Sequence, residues 1–181
     1  MIITISGTPG TGKTAISKEL SKLLGYEIVS ITDLVKKRKI PSGYDRKRKS
    51  HIVDEKKLDK KIKKLLGKKK NYIIEGGLAH YVKSDLCIVL RTNPAILEKR
   101  MKKRKWPAEK IKENLQAEIL DAAVIEAMDK NKRVLEIDTS RKTPKQAATL
   151  IKKLLNNHHL QKKYIAGNID WSERYKKYLI Q

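Results

Sequence analysis

Along the chain, short runs of β-branched and aliphatic residues alternate with longer stretches in which apolar positions recur every three or four residues. Residues 2–6, 27–30, 72–75, 86–90 and 134–137 read as five strands. Their near-continuous apolar character suits strands covered on both faces. Between them, residues 14–24 carry Ile16, Leu20, Leu23 and Leu24 at helical spacing. Residues 94–101 follow Asn93 as a cap, with proline at the first helical position. Residues 110–128 repeat apolar positions over several turns, and 144–155 open after Thr143. This alternation predicts an α/β fold, with one three-layer domain over residues 1–155 built on a five-stranded, mostly parallel sheet.

Two stretches break the rhythm. Residues 36–70 hold 17 Lys/Arg against 4 Asp/Glu, more than half of the chain's net charge of +23. Such a run is ordinarily a solvated helix face or a disordered arm. Here Ile52, Leu58, Ile62, Leu65 and Leu66 form an apolar stripe, so part of it is expected to pack. Residues 156–181 form a basic, aromatic C-terminal extension in which Tyr164, Trp171, Tyr175 and Tyr178 interleave with lysines. Its segment IDWSERYKKYL offers a short amphipathic helix opening near Asp170 or Ser172, expected to dock on the domain or on a partner.

The charge changes the range of partners, not the fold. A strong positive excess favours polyanions such as nucleic acid. The alternative is a Lys/Glu-rich surface suited to high temperature, although lysines here far outnumber acids. The single cysteine, Cys87, excludes an intramolecular disulfide, and its place in DLCIVL reads as core. The pair His158-His159 stands in a basic tail and reads as solvated, not metal-binding. MIITIS lacks the features of a signal peptide, and no apolar stretch is long enough to span a bilayer. A soluble, cytoplasmic protein with no membrane partner is expected.

Chemistry enters with residues 7–14, GTPGTGKT, which fill the pattern G-x-x-x-x-G-K-[ST]. Gly10, Thr11 and Gly12 let backbone N–H groups converge as an anion nest, and the helix after them adds its positive end. In such a loop Lys13 reaches the β- and γ-phosphates and the Thr14 hydroxyl can ligate Mg²⁺. A plain tight turn is the alternative. The strand before and the amphipathic helix after decide for a phosphate cradle. Glu75, closing YIIEGG, stands where a carboxylate can hold Mg²⁺ through water, and equally where a glutamate would merely close a strand. Asp33, in ITDLVKK, stands either near the same cleft or as a helix cap.

A cradle says that a nucleoside triphosphate binds, not which reaction it then undergoes. DKNKRV at 129–134 has letters of the guanine-reading Asn/Thr-Lys-x-Asp element but neither its order nor a preceding strand, which argues against a GTPase. In LRTNPAILEKRMKKRKWPAEKI, Arg100 and Arg104 stand four apart on one helical face. Two guanidinium groups so placed suit the spread charge of a transferring phosphoryl group, with chance spacing in a basic segment as the alternative. Trp106-Pro107 breaks that helix, so a short helical lid over ATP is expected.

The ordered set ISGTPGTGKT at 5–14, GYD at 43–45 with IVDE at 52–55, YIIEGG at 72–77, IVLRT at 88–92 and RKWPAEKIKENLQAEIL at 104–120 resembles the adenylate kinase isoenzyme 6 family, which includes the coilin-interacting nuclear ATPase and archaeal relatives. The resemblance covers about residues 1–155. It implies a P-loop NTPase fold of the nucleoside-monophosphate-kinase kind, with an acceptor-binding segment at about 30–53 and a lid at about 103–113. It implies Mg²⁺-dependent transfer of the ATP γ-phosphate to AMP by a kinase of broad specificity, with ATP hydrolysis as a second activity. Gly10, Gly12, Lys13, Thr14 and Ala15 match the family's ATP-contacting loop, Arg104 its lid arginine, and Lys142 a position near the adenine. Lys13, Arg104 and Arg100 are the implied catalytic cations, and Asp33, Lys36 and Tyr44 fall in the AMP-binding segment. A platform protein of the small ribosomal subunit and rRNA are implied partners.

The chain departs from the pattern in three places. Lys36 stands where adenylate kinases place an arginine, which keeps the charge and loses the bidentate fork. Glu75-Gly76-Gly77 lacks the family's histidine, the next one being His80. No arginine lies between Lys110 and Met128. These departures bear on kinase efficiency more than on nucleotide binding. They keep two other readings open: a nucleotide-gated ribosome-assembly ATPase, and a P-loop kinase for another small acceptor such as shikimate or a nucleoside.

Overall fold

The computed structural model describes residues 1–37, 39–40, 42–45, 50–67 and 70–180, with the backbone alone at 42, 44, 45, 50 and 51. Among these, β1 (Ile2–Ser6), β2 (Glu27–Ser30), β5 (Tyr72–Glu75), β6 (Leu86–Arg91) and β7 (Val134–Asp138) form one sheet in the order β2-β5-β1-β6-β7. Every neighbouring pair is parallel. The expected five-stranded sheet is therefore present, with each strand within one residue of its expected end. β3 (Ser42–Asp45) and β4 (Ser50–Val53), which the apolar pattern does not predict as strands, pair antiparallel in the basic region.

Side chains alternate across the strands, so β6 feeds two cores. Leu86, Ile88 and Leu90 pack with Ile16 and Leu20 of α1 (Lys13–Leu24) and with Ala147, Ile151 and Leu154 of α7 (Pro144–Leu155). Cys87 and Val89 face the other way, against Val124 and Ala127 of α6 (Ala122–Lys130). On that second face, Ile74 and Tyr72 meet Ile31 and Val35 of α2 (Ile31–Lys36) and Leu58 and Ile62 of α3 (Glu55–Leu65). The result is the predicted three layers. β1 lies at the centre, and the connections leading to β2 and to β6 part on either side of it, which opens a crevice at its carboxyl end.

α7 opens on a full capping box between Thr143 and Gln146, and α4 (Pro94–Lys103) on the Asn93 side chain, as the sequence predicts. The stripe in the basic region is narrower than expected. Leu58 and Ile62 are fully buried, whereas Leu65, also on α3, and Ile52, on β4, are about half exposed, so α3 presents only one narrow row to the sheet. The helix expected over 110–128 is two helices, α5 (Ala108–Ile119) and α6. Asp121 separates them at φ 56°, a left-handed conformation costly for a residue with a Cβ. Its carboxylate is drawn inward to Arg91.

Arg91 ends β6 and is 1% exposed, yet it is surrounded by acids. Its Nε donates to Glu118 Oε1 at 2.9 Å, its Nη1 to Glu136, and its Nη2 to Asp121 and, at 2.7 Å, to the Glu118 carbonyl. This one guanidinium ties β6, β7, α5 and α6 together. Replacing it leaves buried carboxylates without their counter-charge, so Arg91→Met is expected to cost about 3–5 kcal/mol, read as a lower urea midpoint at pH 7.

Candidate active site

The loop from Gly7 to Gly12 turns within reach of β6. Gly7 leaves β1 at φ 127°, and a Cβ there would stand 2.3 Å from the Leu90 carbonyl oxygen, so only glycine passes. Gly12 begins α1 at φ 101° and offers no side chain to cap it, which leaves the first-turn N–H groups, those of Lys13, Thr14 and Ala15 among them, free of a side-chain cap. The loop is braced from behind. Thr11 Oγ1 donates to Thr8 O at 2.8 Å, Thr139 Oγ1 to Thr11 O at 2.9 Å, and Arg100 Nη1 to Gly10 O at 3.3 Å.

Lys13 folds into this loop. Its ammonium donates to the carbonyls of Gly7 at 2.7 Å and Thr8 at 3.1 Å. Burial pulls its pKa from 10.5 down to about 8, against the opposing pull of the Glu75 and Glu118 carboxylates, with Arg104 adding to the depression. Beside it, Thr14 Oγ1 donates to Oε2 of the buried Glu75 at 3.1 Å, so the start of the helix and the last residue of β5 meet. A hydroxyl and a carboxylate side by side are hard oxygen donors and fit Mg²⁺, which takes few protein ligands and fills its shell with water and phosphate. Among the described residues there is no cluster of three His, Cys, Asp or Glu that would hold a metal unaided.

The two arginines behave differently. Arg100 is half-buried and gives its guanidinium to Gly10 O, Thr92 Oγ1 at 3.3 Å and Thr139 O at 3.2 Å. Arg104 caps the end of α4, is exposed, and has no side-chain hydrogen bond among the described residues. Burial lowers the pKa of Arg100, and the Arg104 charge lowers it further. Asp33 and Lys36 lie exposed on α2, with no hydrogen bond to the loop among the described residues. Asp33 is not the cap of that helix: Ser30 holds the position, accepting from the Asp33 N–H at 3.3 Å. The Tyr44 side chain falls outside the described residues. Lys142 is exposed in the turn after β7, its N–H 3.4 Å from Thr139 O.

Sequence reasoning misses the roles of Thr92 and Thr139, whose hydroxyls meet at 2.8 Å behind the loop. Both follow strands directly, and that position is the one signal that could have marked them. His80, 2% exposed, shares a hydrogen bond of 2.6 Å between its Nδ1 and Ser6 Oγ, at the strand end where the loop begins, and its Nε2 lies 2.9 Å from Glu126 Oε2.

The fold and the loop define a P-loop kinase architecture. Solved structures that share it include shikimate kinase from Acinetobacter baumannii in complex with shikimate, with TM-score 0.59 and 16% identity over 88% of this chain and 94% of that one. Deoxyadenosine kinase from M. mycoides with bound dATP aligns with TM-score 0.56 and 21% identity over 87% of this chain and 100% of that one. In sequence, an AAA domain model matches residues 3–121. Proteins bearing the name "Putative adenylate kinase" are 39% identical in Thermococcus kodakarensis, over 99% of this chain and 97% of the relative, and 40% identical in Methanocaldococcus jannaschii, over 99% and 97%. The chain belongs to this AAA domain family and to that group of archaeal adenylate kinase homologues. It is thus a homologue of proteins named as adenylate kinases, and P-loop kinases generally use Mg²⁺ with ATP. No described helix is long and apolar enough to cross a membrane.

Burial lowers the His80 pKa from 6.5 to about 4. The folded state therefore keeps a neutral imidazole while the unfolded chain takes up a proton, and stability drains away as pH falls from 6.5 towards 4. Urea midpoints at pH 7 and pH 5 check this: the drop is expected to shrink in His80→Gln.

Proposed function

We propose that the protein transfers the γ-phosphate of ATP to AMP, giving two ADP, as a nucleoside monophosphate kinase of the adenylate kinase isoenzyme 6 type. AMP is the first of several acceptors, and slow ATP hydrolysis accompanies transfer. The observation that carries this reading is the meeting of Lys13, Thr14 and Glu75 at the carboxyl end of the central strand. It occurs in a chain 39% identical to an adenylate kinase homologue over nearly its whole length.

Lys13 exchanges its carbonyl partners for β- and γ-phosphate oxygens, and the loop N–H groups take the rest of the charge. Thr14 and Glu75, the latter through water, would hold Mg²⁺, which would supply neutralisation of the phosphate charge. Arg104, exposed at the end of α4, is the cation free to swing onto the transferring phosphoryl group, while Arg100 holds the loop in shape. Residues 103–113 serve as lid, residues 30–53 as acceptor segment with Asp33, Lys36 and Tyr44 as its AMP-binding residues, and Lys142 flanks the adenine.

A second reading adds a ribonucleoprotein ligand to the same molecule, with a platform protein of the small ribosomal subunit and rRNA as partners in subunit maturation in the cytoplasm. Lys56, Lys57, Lys60, Lys61 and Lys64 support it, since all are exposed along α3 and such a row matches a phosphate backbone.

ADP formation tests the first reading. With ATP and AMP together, ADP is expected to appear well above the rate from ATP alone, and Lys13→Ala to lower kcat by at least about 100-fold. Equal rates with and without AMP would sink the kinase reading and leave the assembly ATPase. Protonation gives a further check. Phosphate returns the Lys13 pKa upward, so calorimetry in buffers of different ionisation enthalpy is expected to show little proton uptake on ATP-analogue binding at about pH 7. At about pH 9 uptake approaches one proton per nucleotide, and Lys13→Met abolishes it.

A further inference from the structure

The C-terminal extension returns to the body of the protein and ends at α4 and α5, the helices on either side of the bend at Arg104. Ile165 pairs antiparallel with Leu135 along the outer edge of β7, and the Ala166 N–H donates to Val134 O at 3.3 Å. The Glu136 carboxylate, already bound to Arg91 through Oε1, takes the N–H groups of Gly167, Asn168 and Ile169 on Oε2 at 3.0, 3.2 and 3.3 Å. Beyond this anchor, Tyr175 is buried and donates its hydroxyl to Asn93 Oδ1 at 2.7 Å, the atom that caps α4 through the Ala95 N–H.

Tyr178 then touches both helices. Its hydroxyl donates to Glu98 Oε2 of α4 at 2.9 Å, and its carbonyl accepts from Gln116 Nε2 of α5 at 3.0 Å. Its ring packs with Trp106 against Leu97, Met101, Ile111 and Leu115, the apolar seam between the two helices. Arg104 sits at the bend of this pair. With Lys105 reversing the chain at φ 57° and no side-chain hydrogen bond to Arg104 among the described residues, its place is set only by how α4 and α5 meet.

We infer that Tyr178 is a positioning residue: it fixes the α4–α5 junction and thereby aims Arg104, which makes the C-terminal extension a working part of the phosphoryl-transfer site. This rests on the reading of Arg104 as the lid cation. A reacting group misplaced by about 1 Å loses up to about 100-fold in rate, so a small tilt of the bend reaches the chemistry.

A double-mutant cycle tests it. Tyr178→Phe keeps ring and carbonyl and removes only the bond to Glu98. It is expected to lower kcat about three- to tenfold while KM for AMP stays within about twofold. Glu98→Ala reproduces the loss, and Glu98→Gln, which still accepts the hydroxyl, restores most of the rate. In an Arg104→Ala background, Tyr178→Phe costs nothing further. An equal fractional loss in both backgrounds, or a lower Tm with unchanged kcat, overturns the inference. An Arg104→Ala protein with undiminished kcat overturns it too, by removing the arginine from the reaction. AMP-dependent ADP formation by the unaltered protein would in that case leave the proposed activity standing.

Discussion

A lysine ammonium enclosed by the carbonyl oxygens of its own loop is the interaction around which this structure is organised. Burial weighs against such a charge and lowers its pKa to about 8, and oxygen atoms supplied at fixed distances oppose that cost. The loop must therefore be stiff before any phosphate arrives. Stiffness comes from close approach in front, where Gly7 passes the Leu90 carbonyl, and from the braces behind, Thr139 on Thr11 and Arg100 on Gly10. The two braces come from the segments that leave β7 and β6. The central place of β1 in the sheet is what brings them there.

The second buried cation performs a different task. Arg91 is fully enclosed by acids and lies on the same side of β1 as the braces. A buried ion network of this kind contributes little net stability over an apolar replacement of equal shape, but it tolerates no missing member. What it supplies here is register. Glu118 reaches Arg91 Nε and the Thr92 N–H with one oxygen, so the turn into α4 and the end of α5 are fixed to each other. Glu136 uses its two oxygens in opposite directions, one to Arg91 and one to three amides of the extension.

How much the sequence made legible depends on how local each cause is. The five strands could be read because residues such as Ile73, Ile74, Ile88 and Val89 are buried on both faces, and that leaves an unbroken apolar run. The cradle could be read because its glycines and lysine are required by backbone geometry within a single short loop. The break at Asp121 could not, since its cause is a carboxylate drawn to an arginine 30 residues earlier. Arg91 itself is one basic residue among 43 Lys/Arg. Asp33 has the chemistry of a cap, but Ser30 lies one turn earlier, where the cap belongs, and spacing took precedence over residue type. The docking of the tail was foreseeable from its tyrosines. Its target was not, because Asn93, Glu98 and Gln116 converge only in three dimensions.

The contrast between Arg100 and Arg104 is likewise a matter of where the helix stops. Four residues apart, they would share a face, yet α4 ends between them. Arg100 stays within the hydrogen-bonded body and meets three protein oxygens, so it has nothing left to offer a substrate without loosening the loop. Arg104 falls on the first residue beyond α4, where protein acceptors give out and solvent begins. Its charge weighs against the charged form of Arg100, so an anion drawn to Arg104 relieves that repulsion while Arg100 keeps its protein partners. A helix that stops one residue short of its second arginine thus converts a repeating basic pattern into one structural cation and one available to an incoming anion.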